Sequence, residues 1–130
     1  MPGQAEGTQR RILLIEDEPN IAEAIRFILS RDGWSVQTHS DGTDALAVIR
    51  AAAPLVVVLD VMLPGRSGFD ILADLRADPD LARLPVLVLT AKGQSREQDA
   101  ALRAGASRFL AKPFANADLV SGVRALAGGV

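Results

Sequence analysis

The sequence predicts an α/β protein built on a doubly wound, five-stranded parallel sheet with five helices. Three observations carry this. Short apolar runs alternate five times with segments of helical periodicity, the pattern of strands joined by right-handed helical crossovers. The run 55–59 (LVVVL) has no polar position, as expected of a strand covered on both faces. Conspicuous polar residues then stand where the runs end.

Residues 1–10 are polar and read as a disordered lead-in, 11–127 as the domain and 128–130 as a tail. Strand one, 11–15 (RILLI), meets a turn at Glu16-Asp17-Glu18-Pro19. From Asn20 the period becomes helical: Ile21, Ile25, Ile28 and Leu29 share one face, Glu23, Arg26 and Ser30 the other, and Gly33 ends the helix. Phe27 falls off that inner face; it is expected either to pack against the last helix or to belong to a docking surface around the first. Residues 34–39 alternate as a second strand. Asp41-Gly42 turns the chain into a helix over 43–53, which Pro54 stops. Strand three, 55–59, ends at Asp60. After the Leu63-Pro64-Gly65 loop, Ser67 with Asp70 opens the third helix. Strand four, 85–89 (PVLVL), ends at Thr90, and Ser95 with Gln98 reads as a capping box for a helix that stops at Gly105. Strand five, 107–111, ends at Lys112-Pro113. Asn116 then caps a helix with Leu119, Val120, Val123 and Leu126 on its inner face.

Composition narrows the function. A chain of 130 residues, 48% hydrophobic, fits one domain with a real core. The absence of cysteine excludes a disulfide framework and any Cys-based zinc site. No apolar run approaches the roughly 20 residues that span a bilayer, and the polar N-terminus is no signal peptide. Net charge is −2, with arginines scattered along the chain rather than gathered in a stripe, which does not favour nucleic acid. The expectation is a cytoplasmic domain with neither membrane nor direct nucleic-acid contact.

The strand ends supply the chemistry. Ligands of open parallel sheets bind outside the carboxyl ends of the strands, where strand order reverses. If strands one and three are neighbours there, Glu16, Asp17 and Asp60 crowd together, with Thr90 and Lys112 beside them. Three carboxylates and one lysine suit a divalent cation, and oxygen ligands in an open site suit Mg²⁺. An aspartate carboxylate is a nucleophile toward phosphoryl groups. A metal, a lysine and a hydroxyl are appropriate groups to neutralise the transferring oxygens.

The segments Ile15-Glu16-Asp17-Glu18-Pro19, Leu59-Asp60-Val61-Met62-Leu63-Pro64-Gly65, Leu89-Thr90-Ala91 and Leu110-Ala111-Lys112-Pro113-Phe114 resemble receiver domains of two-component response regulators, over about 11–127. The resemblance implies a flavodoxin-like fold of strand order 2-1-3-4-5, like the chemotaxis receiver. It implies Asp60 as phosphoacceptor in a phosphorelay, and Mg²⁺ held by Asp17, Asp60 and the main-chain carbonyl of Met62, with Glu16 acting mainly through a water. Thr90 is implied as the hydroxyl that meets a phosphoryl oxygen, Lys112 as the cation that pairs with it, and Lys112–Pro113 as a cis peptide. Phe109 stands at the switch-aromatic position, which couples Thr90 to the face formed by helix four, strand five and helix five. Met62 and Lys92 stand where the family tunes phosphoryl lifetime.

The implied donor is a sensor histidine kinase or histidine phosphotransfer protein. The output is an unidentified downstream protein or effector domain, reached as a monomer or a phosphorylation-dependent dimer. Ser107 and Arg108 replace the acidic pair that DNA-binding members often carry before the switch aromatic, which argues against that dimer mode. The implied chain is either a stand-alone receiver or a piece of a longer protein. It is a self-phosphorylating and self-dephosphorylating switch rather than an enzyme with external turnover. A pseudo-receiver that binds partners without phosphorylation is the alternative, and the filled pocket positions argue against it. A haloacid-dehalogenase-type phosphohydrolase would need a second Asp where Met62 stands.

Overall fold

The computed structural model describes residues 10–91 and 95–128. Residues 1–9, 92–94 and 129–130 lie outside them, with what the sequence suggests of the lead-in, of Lys92 and of the tail. Five strands and five helices alternate: β1 (Arg11–Ile15), α1 (Pro19–Arg31), β2 (Ser35–His39), α2 (Ala45–Ala52), β3 (Val56–Asp60), α3 (Gly68–Ala77), β4 (Val86–Ala91), α4 (Ser95–Ala104), β5 (Arg108–Lys112) and α5 (Asn116–Gly128). All strand pairs are parallel, in the order β2-β1-β3-β4-β5.

Side chains alternate across the three central strands and build two cores. Leu13, Ile15, Val57, Leu59, Val86 and Val88 pack against Ile49 of α2, Ile71, Leu72 and Leu75 of α3, and Ala101 of α4. Ile12, Leu14, Val56, Val58, Leu87 and Leu89 pack against Ile25 and Leu29 of α1, and Leu119 and Val123 of α5. A strand buried on both faces cannot carry polar residues cheaply. The polar side chains of β3 and β4 therefore fall at their carboxyl ends, in Asp60 and Thr90.

Local chemistry sets the element limits. Glu18 caps α1 by accepting from the Asn20 N–H, Pro19 occupies the first turn, and Gly33 leaves the helix at φ +94°. Asp41 accepts from the Thr43 N–H at 2.6 Å, holding a turn that delays α2 to Ala45. Ser67 caps α3 by accepting from Asp70 N, as its sequence suggests. Asn116 is the first residue of α5 rather than its cap, because the Ala115 carbonyl already accepts from Asp118 and Leu119. Phe27 does not pack on α5: it is 56% exposed, with the Arg31 guanidinium over its ring. Among the described residues no helix is long and apolar enough to cross a membrane.

Candidate phosphoacceptor site

Asp60 is the last residue of β3, beside Leu89 of β4, and its neighbour across β1 is the Ile15–Glu16 step. Its side chain is buried and held at both oxygens. Oδ1 accepts from the Met62 N–H at 3.0 Å, and Oδ2 accepts from Lys112 Nζ at 3.0 Å. Glu16 is also buried; its Oε2 accepts from the Glu18 N–H at 3.1 Å and its Oε1 lies 3.4 Å from Lys112 Nζ. Asp17 is exposed at the mouth. Oxygens of Glu16, Asp17 and Asp60 all lie within 4.8 Å of one another.

This crowding has an electrostatic signature. Burial, and then the neighbouring Asp60 carboxylate, push the Glu16 carboxyl up to about 7. Burial alone would pull the Lys112 ammonium down, but the Asp60 and Glu16 carboxylates outweigh it and hold its pKa above the usual value. One lysine does not neutralise three carboxylates. The donor set is all oxygen, converges within a small sphere and carries excess negative charge, so it fits a hard divalent cation such as Mg²⁺.

Thr90 lies one strand away. It is completely buried, and its Oγ1 has no hydrogen-bond partner. Phe109 pairs in register with Val88, two residues before Thr90, and packs partly buried on that same sheet face. Lys112 pairs with Ala91 and precedes a cis Lys112–Pro113 peptide. The Met62 side chain, 71% exposed, points away from any packing role. His39 Nε2 lies 2.7 Å from Asp44 Oδ1, and the His39 carbonyl accepts from the Glu16 N–H at 2.9 Å.

Two contributors are not evident from sequence. Gly68 closes the loop after Asp60: its N–H donates to Val61 O at 3.0 Å, and a Cβ there would sit 2.4 Å from Asp60 O. Only a glycine allows α3 to begin so close to Asp60. Glu97, in the first turn of α4, accepts from the Ala91 N–H at 2.7 Å. An acid in a first helical turn was the available signal, but its target was not.

The family model for the response regulator receiver domain matches residues 12–124. The protein named "Probable transcriptional regulatory protein TcrX" of Mycobacterium tuberculosis is 42% identical over 95% of this chain and 52% of its own length. The DNA-binding response regulator MtrA of Mycolicibacterium smegmatis is 38% identical over 90% of this chain and 50% of its own. The chain thus spans about half the length of these relatives. Among solved structures, the receiver domain of sensor histidine kinase PA1611 from Pseudomonas aeruginosa is 29% identical, covering 92% of this chain and 98% of that one with a TM-score of 0.84. That structure has a magnesium ion coordinated in its active-site cleft. By fold, by the family match along most of its length and by relatives over 30% identical, this chain belongs to the response regulator receiver domains of two-component systems.

Proposed function

We propose that the chain is a phosphorylation switch in which Asp60 accepts a phosphoryl group from a histidine kinase or histidine phosphotransfer protein. The observation that carries this is the junction of a buried, doubly held Asp60 carboxylate with Lys112 and the unpartnered Thr90 hydroxyl. A carboxylate oxygen of Asp60 attacks phosphorus. The bond from phosphorus to the donor nitrogen breaks, its electron pair leaves on the imidazole, and an acyl phosphate remains.

Glu16, Asp17, Asp60 and the Met62 carbonyl would hold Mg²⁺, which when bound neutralises charge on the transferring oxygens. Lys112, already hydrogen-bonded to Asp60, is placed to follow the phosphoryl group as it attaches. Thr90 gains its missing partner by donating to a phosphoryl oxygen. Its displacement opens space on the sheet face it shares with Phe109, which rotates inward and repacks the surface of α4, β5 and α5. Because Phe109 lacks a hydroxyl, that inward state buries no polar group.

The output is a protein partner or effector domain of the response, reached through that surface. We place the chain in the cytoplasm. Direct DNA contact, where a longer relative has it, belongs outside this domain. A pseudo-receiver is disfavoured because every pocket position carries a competent group. The test is intact mass after incubation with Mg²⁺ and acetyl phosphate: one added phosphoryl group is expected in the native protein and none in Asp60→Asn. An equal adduct in both, or none in the folded native protein, would overturn the reading.

A further inference from the structure

Glu97 stands outside the phosphoacceptor cluster, yet its side chain reaches the strand end that borders it. In a capping box an acid three residues into a helix bonds back to the N–H of the capping residue at that helix's own start. Glu97 reaches further: its Oε1 accepts from Ala91 N, six residues earlier and in the last position of β4, at 2.7 Å. Ala91 follows Thr90, whose buried hydroxyl has no partner, and lies in register with Lys112, whose ammonium is on Asp60. A fourth carboxylate is therefore tied to the rim of a pocket that already holds three, and it ties the first turn of α4 to the end of β4.

We propose that Glu97 is a resting-state brake on the switch: its carboxylate occupies the Ala91 N–H and is released when Asp60 carries a phosphoryl group. The proposal rests on the phosphoacceptor reading of Asp60. Phosphorylation replaces a single negative charge by about −2 at the end of β3. The added charge repels Glu97, while movement of Thr90 toward the phosphoryl oxygens pulls the adjoining Ala91 amide from its acceptor. Release would free the first turn of α4, the helix that frames the output surface. Glu97 is thus a positioning residue, acting through Ala91 and Thr90 rather than on the reacting atoms.

The experiment compares native protein, Glu97→Gln and Glu97→Ala by calorimetric titration with beryllofluoride in Mg²⁺, and by amide exchange at Ala91. Glu97→Ala is expected to bind on the order of fivefold more tightly than native protein and to lose protection of the Ala91 amide at rest. Glu97→Gln keeps an oxygen acceptor and removes the charge, so it should retain protection and bind with intermediate affinity. In native protein, beryllofluoride should itself deprotect that amide. A merely structural cap would leave affinity unchanged, so equal or weaker binding by both variants overturns the brake. Should Glu97→Ala not fold, Glu97→Gln decides alone: tighter binding supports the brake and unchanged binding overturns it. If folded native protein does not bind beryllofluoride, the phosphoacceptor reading falls and the brake with it.

Discussion

Gly68→Ala separates site geometry from helix propensity. Alanine favours a helix interior over glycine by about 1 kcal/mol, so propensity alone makes the substitution neutral or stabilising. The structure gives the opposite sign. The new Cβ would lie 2.4 Å from Asp60 O and 2.6 Å from Val61 Cα, both main-chain atoms of the segment that presents the Asp60 carboxylate. Ordinary contacts between such atoms lie near 3.5 Å, so the start of α3 or the end of β3 must give by roughly 1 Å. Over-packing of this kind costs about 1–3 kcal/mol, which for a domain of this size lowers Tm by roughly 5 °C or more. The same displacement reaches Asp60 and the Met62 N–H that holds it. A shift of about 1 Å at a reacting group can lower a rate 100-fold. Thermal melts and acetyl phosphate labelling rates measure both effects. A Gly68→Ala protein at least as stable as the native one and labelled at the native rate would refute the steric reasoning.

Other outcomes follow from the same geometry. In protein held in chelator, Glu16 is raised from 4.5 to about 7, so the folded state binds its proton more readily than the unfolded state. That contribution is greatest below pH 4.5 and is lost as pH rises to 7. Glu16→Gln should remove this decline and add up to about 3 kcal/mol at pH 8 by urea titration; parallel pH profiles would contradict it. Thr90→Val removes a buried hydroxyl that has no partner. It should stabilise the resting fold by about 1–2 kcal/mol and still accept phosphate, but amide shifts in β5 and α5 should no longer respond. A native response there would break the proposed coupling. Trp34 is buried at the opposite end of the sheet from Asp60, beneath Arg10 and donating to Asp32. Its fluorescence should follow unfolding but stay constant on phosphorylation, and a clear change would show that the switch reaches that end.

The fold was readable because burial is so complete in the central strands. Residues 12–15, 56–59 and 86–89 leave no solvent face, and residues that cannot be buried without partners mark their ends. The sheet order came from family resemblance, since periodicity alone does not choose among arrangements of five parallel strands. Helix starts were less legible, because they depend on side-chain bonds. Asp41 shortens α2 by holding Thr43 in a turn, and the Ala115 carbonyl takes the capping role expected of Asn116. Phe27 shows the limit of helical angle as a guide. It lies just off the buried stripe, and the two helices meet through other side chains, leaving its ring to solvent and Arg31.

Within the site, the identities of Glu16, Asp17, Asp60, Thr90 and Lys112 were visible, and the structure brings their segments to one end of the sheet. Their protonation and bonding were not visible. The upward shift of Glu16 arises from burial and from Asp60, which lies forty-four residues away in the chain. The roles of Gly68 and Glu97 are not legible in the sequence for the same reason: each acts on a main-chain atom, and no side-chain motif records which main-chain atom lies opposite.

The central claim is that Asp60 is the phosphoacceptor, and phosphorus NMR on the Mg²⁺ protein treated with phosphoramidate tests it most directly. One protein-bound acyl phosphate resonance is expected, discharged by hydroxylamine and missing from folded Asp60→Asn. A resonance that persists in Asp60→Asn, or that resists hydroxylamine, would place the phosphoryl group elsewhere and contradict the account.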